Sequence, residues 1–119
     1  MASPVTMTLM ADGNISKYSV VCIGRFDNTV RQTMWPDVVY MSSILGVALN
    51  DAGDGGNVDI CSLGTITDPT WTWERGKPIY VTVGGYLTQT IPPKSIYKIG
   101  KAVASNVVFV SLSEYLMLE

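Results

Sequence analysis

Residues 75–112, RGKPIYVTVGGYLTQTIPPKSIYKIGKAVASNVVFVSL, carry the reading that decides the fold class. Residues 79–83 are rich in β-branched and aromatic side chains, Gly84-Gly85 is a two-residue turn signal, and residues 86–91 resume the extended pattern. Together they predict a β-hairpin, which Pro92-Pro93 ends. Residues 96–103 and 106–112 form a second pair of extended runs about the polar corner Ser105-Asn106. The β-branched positions Val81, Ile99, Val103, Val108 and Val110 are expected to be buried, as are Val47 and Ile60 upstream.

The same rhythm extends towards the N-terminus. Residues 17–23 read as a strand ended by Gly24, and residues 29–33 are a weaker run that answers it across the turn pair Asp27-Asn28. Pro36 turns Trp35 away from helix. Residues 38–41 and 44–49 follow, the latter (ILGVAL) read as a buried strand. A Gly/Asp-rich loop then leads into residues 58–63, and Gly53, Gly55 and Gly56 are expected to supply its positive φ angles. Trp71 and Trp73 stand two apart, on one face if that segment is extended. Strand-sized runs about every ten residues predict an all-β, barrel-like or sandwich-like domain, a β-tulip being one such form, of about seven or eight short strands. No stretch shows a helical apolar period.

Residues 1–14, with Pro4 and the closing turn Asp12-Gly13-Asn14, read as an extended N-terminal arm or edge strand, ahead of an all-β domain over residues 15–119. Val5, Met7 and Leu9 share one face of it when extended, alternating with Thr6, Thr8 and Met10. This face is expected to contact a neighbouring protein, and the arm is expected to be dispensable for folding.

At 119 residues the chain is long enough for one domain with a core of its own. Charged residues are 15%, below the globular average of about 25%. Ser, Thr, Gly and Asn take their place, which suits a surface packed against neighbours. The net charge of −2 argues against a nucleic-acid binder working through phosphate contacts. The charge is uneven: residues 1–76 hold four basic and eight acidic groups, whereas residues 77–119 hold Lys77, Lys94, Lys98 and Lys101 against Glu114 and Glu119. Lysines at strand edges and solvent faces account for that, with a matched acidic partner surface as the alternative. Cys22 and Cys61 lie in apolar runs and are expected to be free, buried thiols in a protein folded in a reducing cytoplasm. Nowhere do eighteen apolar residues run together, so no membrane anchor is expected.

The absence of histidine removes Ser-His-Asp and Cys-His catalysis and imidazole metal ligands. The loop at residues 50–59 has oxygens enough for calcium, yet with Asp51 as position one the twelfth position is Ser62, where an EF-hand needs a bidentate Glu. The reading is a protein that is not an enzyme and needs no metal or other cofactor. Exposed, Trp71 and Trp73 would make a sugar-stacking platform; buried, they would be core or interface residues.

Four pieces in order resemble a bacteriophage head decoration (capsid cement) protein of the small all-β type, whose modules are related to head-fibre base domains. They are ILGVAL at residues 44–49, similar to an xGVAL strand; NVDICSLGTI at 57–66; RGKPIYVTVGGYLTQTIP at 75–92, similar to a G-x-P-x-Y…Gly-Gly-x-Leu-Thr hairpin; and KIGKAVASNVVFVSL at 98–112. The resemblance covers roughly 70 residues and leaves residues 1–43 unmatched. It implies a structural virion protein on the outer capsid surface, a homotrimer binding the major capsid protein and cementing its subunits, with neither nucleic acid nor membrane as partner. Val5, Met7, Leu9, Trp35, Trp71 and Trp73 are the expected contact residues. Three other readings stand beside it: the base of a phage head or tail fibre, a receptor- or carbohydrate-binding fibre module, and a cellular adaptor domain.

Overall fold

Strand β5 (Asn57–Thr67) is the longest element, and two structures are built on it. A computed structural model of the protein describes residues 5–33, 44–90 and 98–112. They contain nine strands: β1 (Val5–Ala11), β2 (Val20–Ile23), β3 (Thr29–Gln32), β4 (Ile44–Ala48), β5, β6 (Pro78–Val81), β7 (Leu87–Thr88), β8 (Lys98–Ala104) and β9 (Val107–Ser111). The domain is all-β, its helical content among the described residues being a 3-10 turn at Val83–Gly85.

The N-terminal half of β5 closes a barrel. β1 pairs with β3 in parallel, β3 with β2, β2 with β4, and β4 with β5, all three antiparallel. β5 returns to β1, from Val5 opposite Leu63 to Met10 opposite Asn57. That ring of five strands leaves no edge between its first and last members. The C-terminal half of β5 carries a second sheet, in the order β5-β9-β8-β6-β7.

Two apolar clusters follow from this arrangement. Val21, Val30, Ala48, Val58 and Ile60 fill the barrel, joined by Ala11 and Ile15. Val20, Cys22, Val47 and Cys61 face outward from the same strands and pack beneath Ile79, Val81, Ile99, Val108 and Val110 of the second sheet. β2 and β4 are therefore buried on both faces, which is why VVC and ILGVA read as unbroken apolar runs. Both thiols lie buried in the second cluster and neither is in a disulfide, and burial pushes the Cys61 thiol up. A thiol reagent is expected to label neither cysteine in native protein and both after denaturation; labelling of native protein would show that this layer opens without global unfolding.

Three expectations are corrected. The segment read as an arm is, from Val5 onward, a barrel strand paired with β5 along its length, so it belongs to the folded core rather than preceding it. Val103 is 46% exposed, whereas the other six residues expected to be buried are buried. Ile99 sits at a bulge opposite β6, after which Ala102 rather than Val103 points inward. In the β4–β5 loop Gly55 alone of the three glycines has positive φ. One further difference concerns length, the strand read at residues 58–63 running on to Thr67, while the weak run at 29–33 forms the expected hairpin with β2. The run at residues 38–41 and the corner at Trp35-Pro36 lie outside the described residues.

Where β1 leaves the barrel, Asp12 clamps the next hairpin. Its Oδ2 accepts hydrogen bonds from the Arg25 backbone N–H (2.9 Å) and Nε (3.1 Å), and its Oδ1 accepts one from Nη2 at 2.8 Å. The Arg25 hydrogen bonds hold the Asp12 carboxyl down at about 2 against an ordinary 3.8. Because the folded pKa is depressed, the clamp stabilises the fold above about pH 4 and loses that contribution as pH falls from there through 2. Asp12→Asn is expected to lower the denaturation midpoint at pH 7 and to flatten its fall between pH 4 and pH 2; an unchanged pH profile would show that the clamp does not contribute to stability.

Candidate functional site

Each group of side chains picked out in the sequence has a definite place. On β1, Met7 and Leu9 pack partly buried against the barrel interior, so the face expected to meet a neighbour is used within the chain. Val5, 52% exposed at the strand's end opposite Leu63, is the member of that set left open. The outward side of β1 carries Thr6, Thr8 and the exposed Met10, with Thr8 Oγ1 donating to Asp59 Oδ1 at 2.6 Å. Trp35 lies outside the described residues.

Trp71 and Trp73 follow β5 in an irregular segment held by backbone hydrogen bonds from Trp71 N–H to the Asp68 carbonyl and from Trp73 N–H to the Ser105 carbonyl. Both are half-buried against the cluster between barrel and sheet. Their ring centroids are 5.8 Å apart with planes at 56°, and Tyr18 meets Trp71 at 4.7 Å and 55°. Tilted edge contacts of this kind are how aromatic rings pack on one another. A flat sugar platform needs coplanar, open faces, so the trio is better suited to closing the edge of the core. Packing prevails even over the Trp73 Nε1, which is buried without a hydrogen-bond partner. Thr70 hydrogen bonds lower the Asp68 carboxyl beside this trio, with Tyr18 and Lys17 contributing.

The Gly/Asp loop between β4 and β5 is a docked turn. Asp51 Oδ1 accepts from the Lys17 N–H (2.7 Å), Asp54 Oδ1 accepts from the Gly13 N–H (2.8 Å), and the Asn50 side chain bridges to the Asp59 N–H and the Asn57 carbonyl. Among the described residues no three His, Cys, Asp or Glu side chains gather as a metal site. Lys77 is raised by its exposed ion pair with Glu74 at 2.9 Å, a contact made on one turn.

Among the described residues, the outward face of the second sheet is open along several strands. The register aligns Thr65, Phe109, Lys101 and Pro78 in one row across β5, β9, β8 and β6. Leu63 and Val103 lie on the same face. Sequence reading treated Lys98 and Lys101 as edge decoration and Val103 as core. The available signal was parity: Phe109 alternates with Val108 and Val110, so burial of that pair turns Phe109 outward.

No protein-family model matches the sequence, and no curated protein matches it. Among solved structures the chain resembles the crystal structure of the head fiber gp8.5 N base in bacteriophage phi29, with a TM-score of 0.53 and 16% identity. The match spans 98% of this chain and 100% of that one. The likeness is one of fold. It extends through the barrel and the second sheet alike, and so includes the N-terminal segment that the sequence resemblance left unmatched.

Proposed function

We propose that this chain is a structural protein of a bacteriophage virion, and that its role is that of a base domain seating an appendage on the head. The observation that carries the reading is the fold shared, end to end of both chains, with a phage head-fibre base. The four sequence pieces that resemble head decoration proteins fall on β4, β5, the β6–β7 hairpin and the β8–β9 pair, which are the strands of the second sheet and its junction with the barrel. They support a head-surface protein and, as a second reading, one that cements neighbouring capsid subunits.

On either reading the protein acts by surface complementarity, without a substrate or cofactor, and its partner is the major capsid protein. Several copies on one particle would gain avidity from simultaneous contacts, and a homotrimer is the arrangement proposed. Purified chain is expected to co-sediment with expanded heads at a fixed stoichiometry and not with procapsids. Absence of binding to either, with no trace of the chain in purified virions, would overturn the reading. Particles lacking the chain then separate the two roles: loss of the appendage with heat-stable heads marks a base, whereas heads that release DNA on mild heating mark a cement.

A further inference from the structure

The open face of the second sheet has the composition of an interface. Leu63 and Val103 are 45% and 46% exposed, Phe109 is half-buried beside them, and Lys98 and Lys101 stand exposed on the same face. No Asp or Glu occurs in β6, β7, β8, β9 or the Leu63–Thr67 half of β5. Three carboxylates, Asp51, Asp54 and Asp59, are exposed on the barrel at the β4–β5 loop and the start of β5, with Lys17 exposed beside Asp51. Their hydrogen bonds come from neutral donors, namely the backbone N–H groups of Lys17 and Gly13 and the Thr8 hydroxyl.

We propose that these two surfaces meet between copies of the chain. The carboxylates of one copy's barrel loop dock on Lys98 and Lys101 of the next, and the contact covers Leu63, Val103 and Phe109. Apolar side chains flanked by charge match the anatomy of protein interfaces, with an apolar centre inside a polar rim. Exposed ion pairs add little affinity by themselves. Their effect is on orientation: sheet against sheet would oppose lysine to lysine, and loop against loop would oppose carboxylate to carboxylate. The contact is therefore head-to-tail, and each copy keeps one surface of each kind for a further neighbour, so assembly proceeds to a ring or a filament rather than stopping at a symmetric dimer. This rests on the homotrimer proposed above and names its two surfaces; the contact can fail while binding to expanded heads still stands.

The test is sedimentation velocity of the full chain over a concentration series at low and high salt. Wild-type protein is expected to associate, and to associate less at high salt. Lys98→Glu/Lys101→Glu and Asp54→Lys/Asp59→Lys are each expected to weaken association at least tenfold while keeping the wild-type circular dichroism. Mixed in equal amounts, the two variants are expected to associate again, at least to mixed dimers, since the Glu face of one then meets the Lys loop of the other. If the Asp→Lys variant is misfolded, Asp54→Asn/Asp59→Asn keeps the Oδ1 acceptors, removes the charge and is expected to show the same loss. A wild-type chain that is monomeric throughout, a sheet-face variant that associates normally, or a mixture of folded variants that stays monomeric would each overturn the proposal. So would a monomer whose binding to expanded heads is abolished by Lys98→Glu/Lys101→Glu, a result that would give this face to the shell.

Discussion

A chain beginning at Ala11 is expected not to fold. Deleting residues 1–10 removes nearly all of β1, and with it the six register pairs to β5 from Val5–Leu63 to Met10–Asn57 and the closing contact with β3. A ladder of about six hydrogen bonds contributes roughly 0.5–1.5 kcal/mol per bond. Met7 and Leu9 add apolar burial over the barrel interior, and their loss uncovers Val58 and Ile60. The sum is comparable with the whole stability of a typical domain, about 5–15 kcal/mol. The truncated chain would also present β5 and β3 as bare edges carrying apolar residues, a pattern that favours aggregation. Size-exclusion chromatography and near-ultraviolet circular dichroism of the truncated chain check this. A monomer with native signal and an unchanged midpoint would show that the barrel holds its shape without β1, and would return residues 5–10 to the role of a dispensable arm.

Gly46→Ala is expected to destabilise the protein by about 3 kcal/mol or more, enough to leave little folded material in a domain of ordinary stability. β4 runs between β2 and β5, and Leu45 is bulged out of its pairing with β2, so that Val21 stands opposite Gly46 and Cys22 opposite Ile44. At this bulge the backbone approaches β5 so closely that a Cβ on residue 46 would overlap the Cys61 carbonyl oxygen and press the Ile60 Cγ2 at 2.9 Å. The obstacle is main chain in the middle of the barrel, so no side chain can swing aside to relieve it. The residue also has a φ of +156°, which L side chains rarely adopt. Gly53→Ala is the control: the nearest atom to its added methyl is 3.9 Å away, and its effect is expected to lie within about 0.5 kcal/mol. Chemical denaturation of the two variants checks the contrast, and equal midpoints would mean that β4 shifts to accept the methyl group.

Much of the second sheet was legible because its strands have one buried face and short connections. In β6 and β9 the alternation of Ile79 and Val81, and of Val108 and Val110, with half-buried neighbours is a local signal, and the Gly84-Gly85 and Ser105-Asn106 corners join residues close in sequence. The candidate contact residues were less legible. Trp71 and Trp73 were read as sharing a face if extended, but whether two tryptophans lie open or close over a core depends on what Tyr18, fifty-odd positions upstream, brings against them. Val103 misled for a similar reason. A single extra residue near Ile99 reverses which side of β8 faces inward, and composition carries no mark of it.

By itself the sequence determined the all-β class, the positions of most strands and hairpins, and the burial of both cysteines. These follow from side-chain period, turn residues and composition, each a property of a few neighbouring positions. Only the tertiary structure decided that residues 5–11 close a barrel, that β2 and β4 are covered on both faces, and that Lys98 and Lys101 share one face of the second sheet. Those outcomes rest on pairings such as Thr8 with Asp59, whose register is set by bulges and ring closure. An alternating strand carries the same pattern whichever distant partner it finds, so partner and register are settled where the chain is packed.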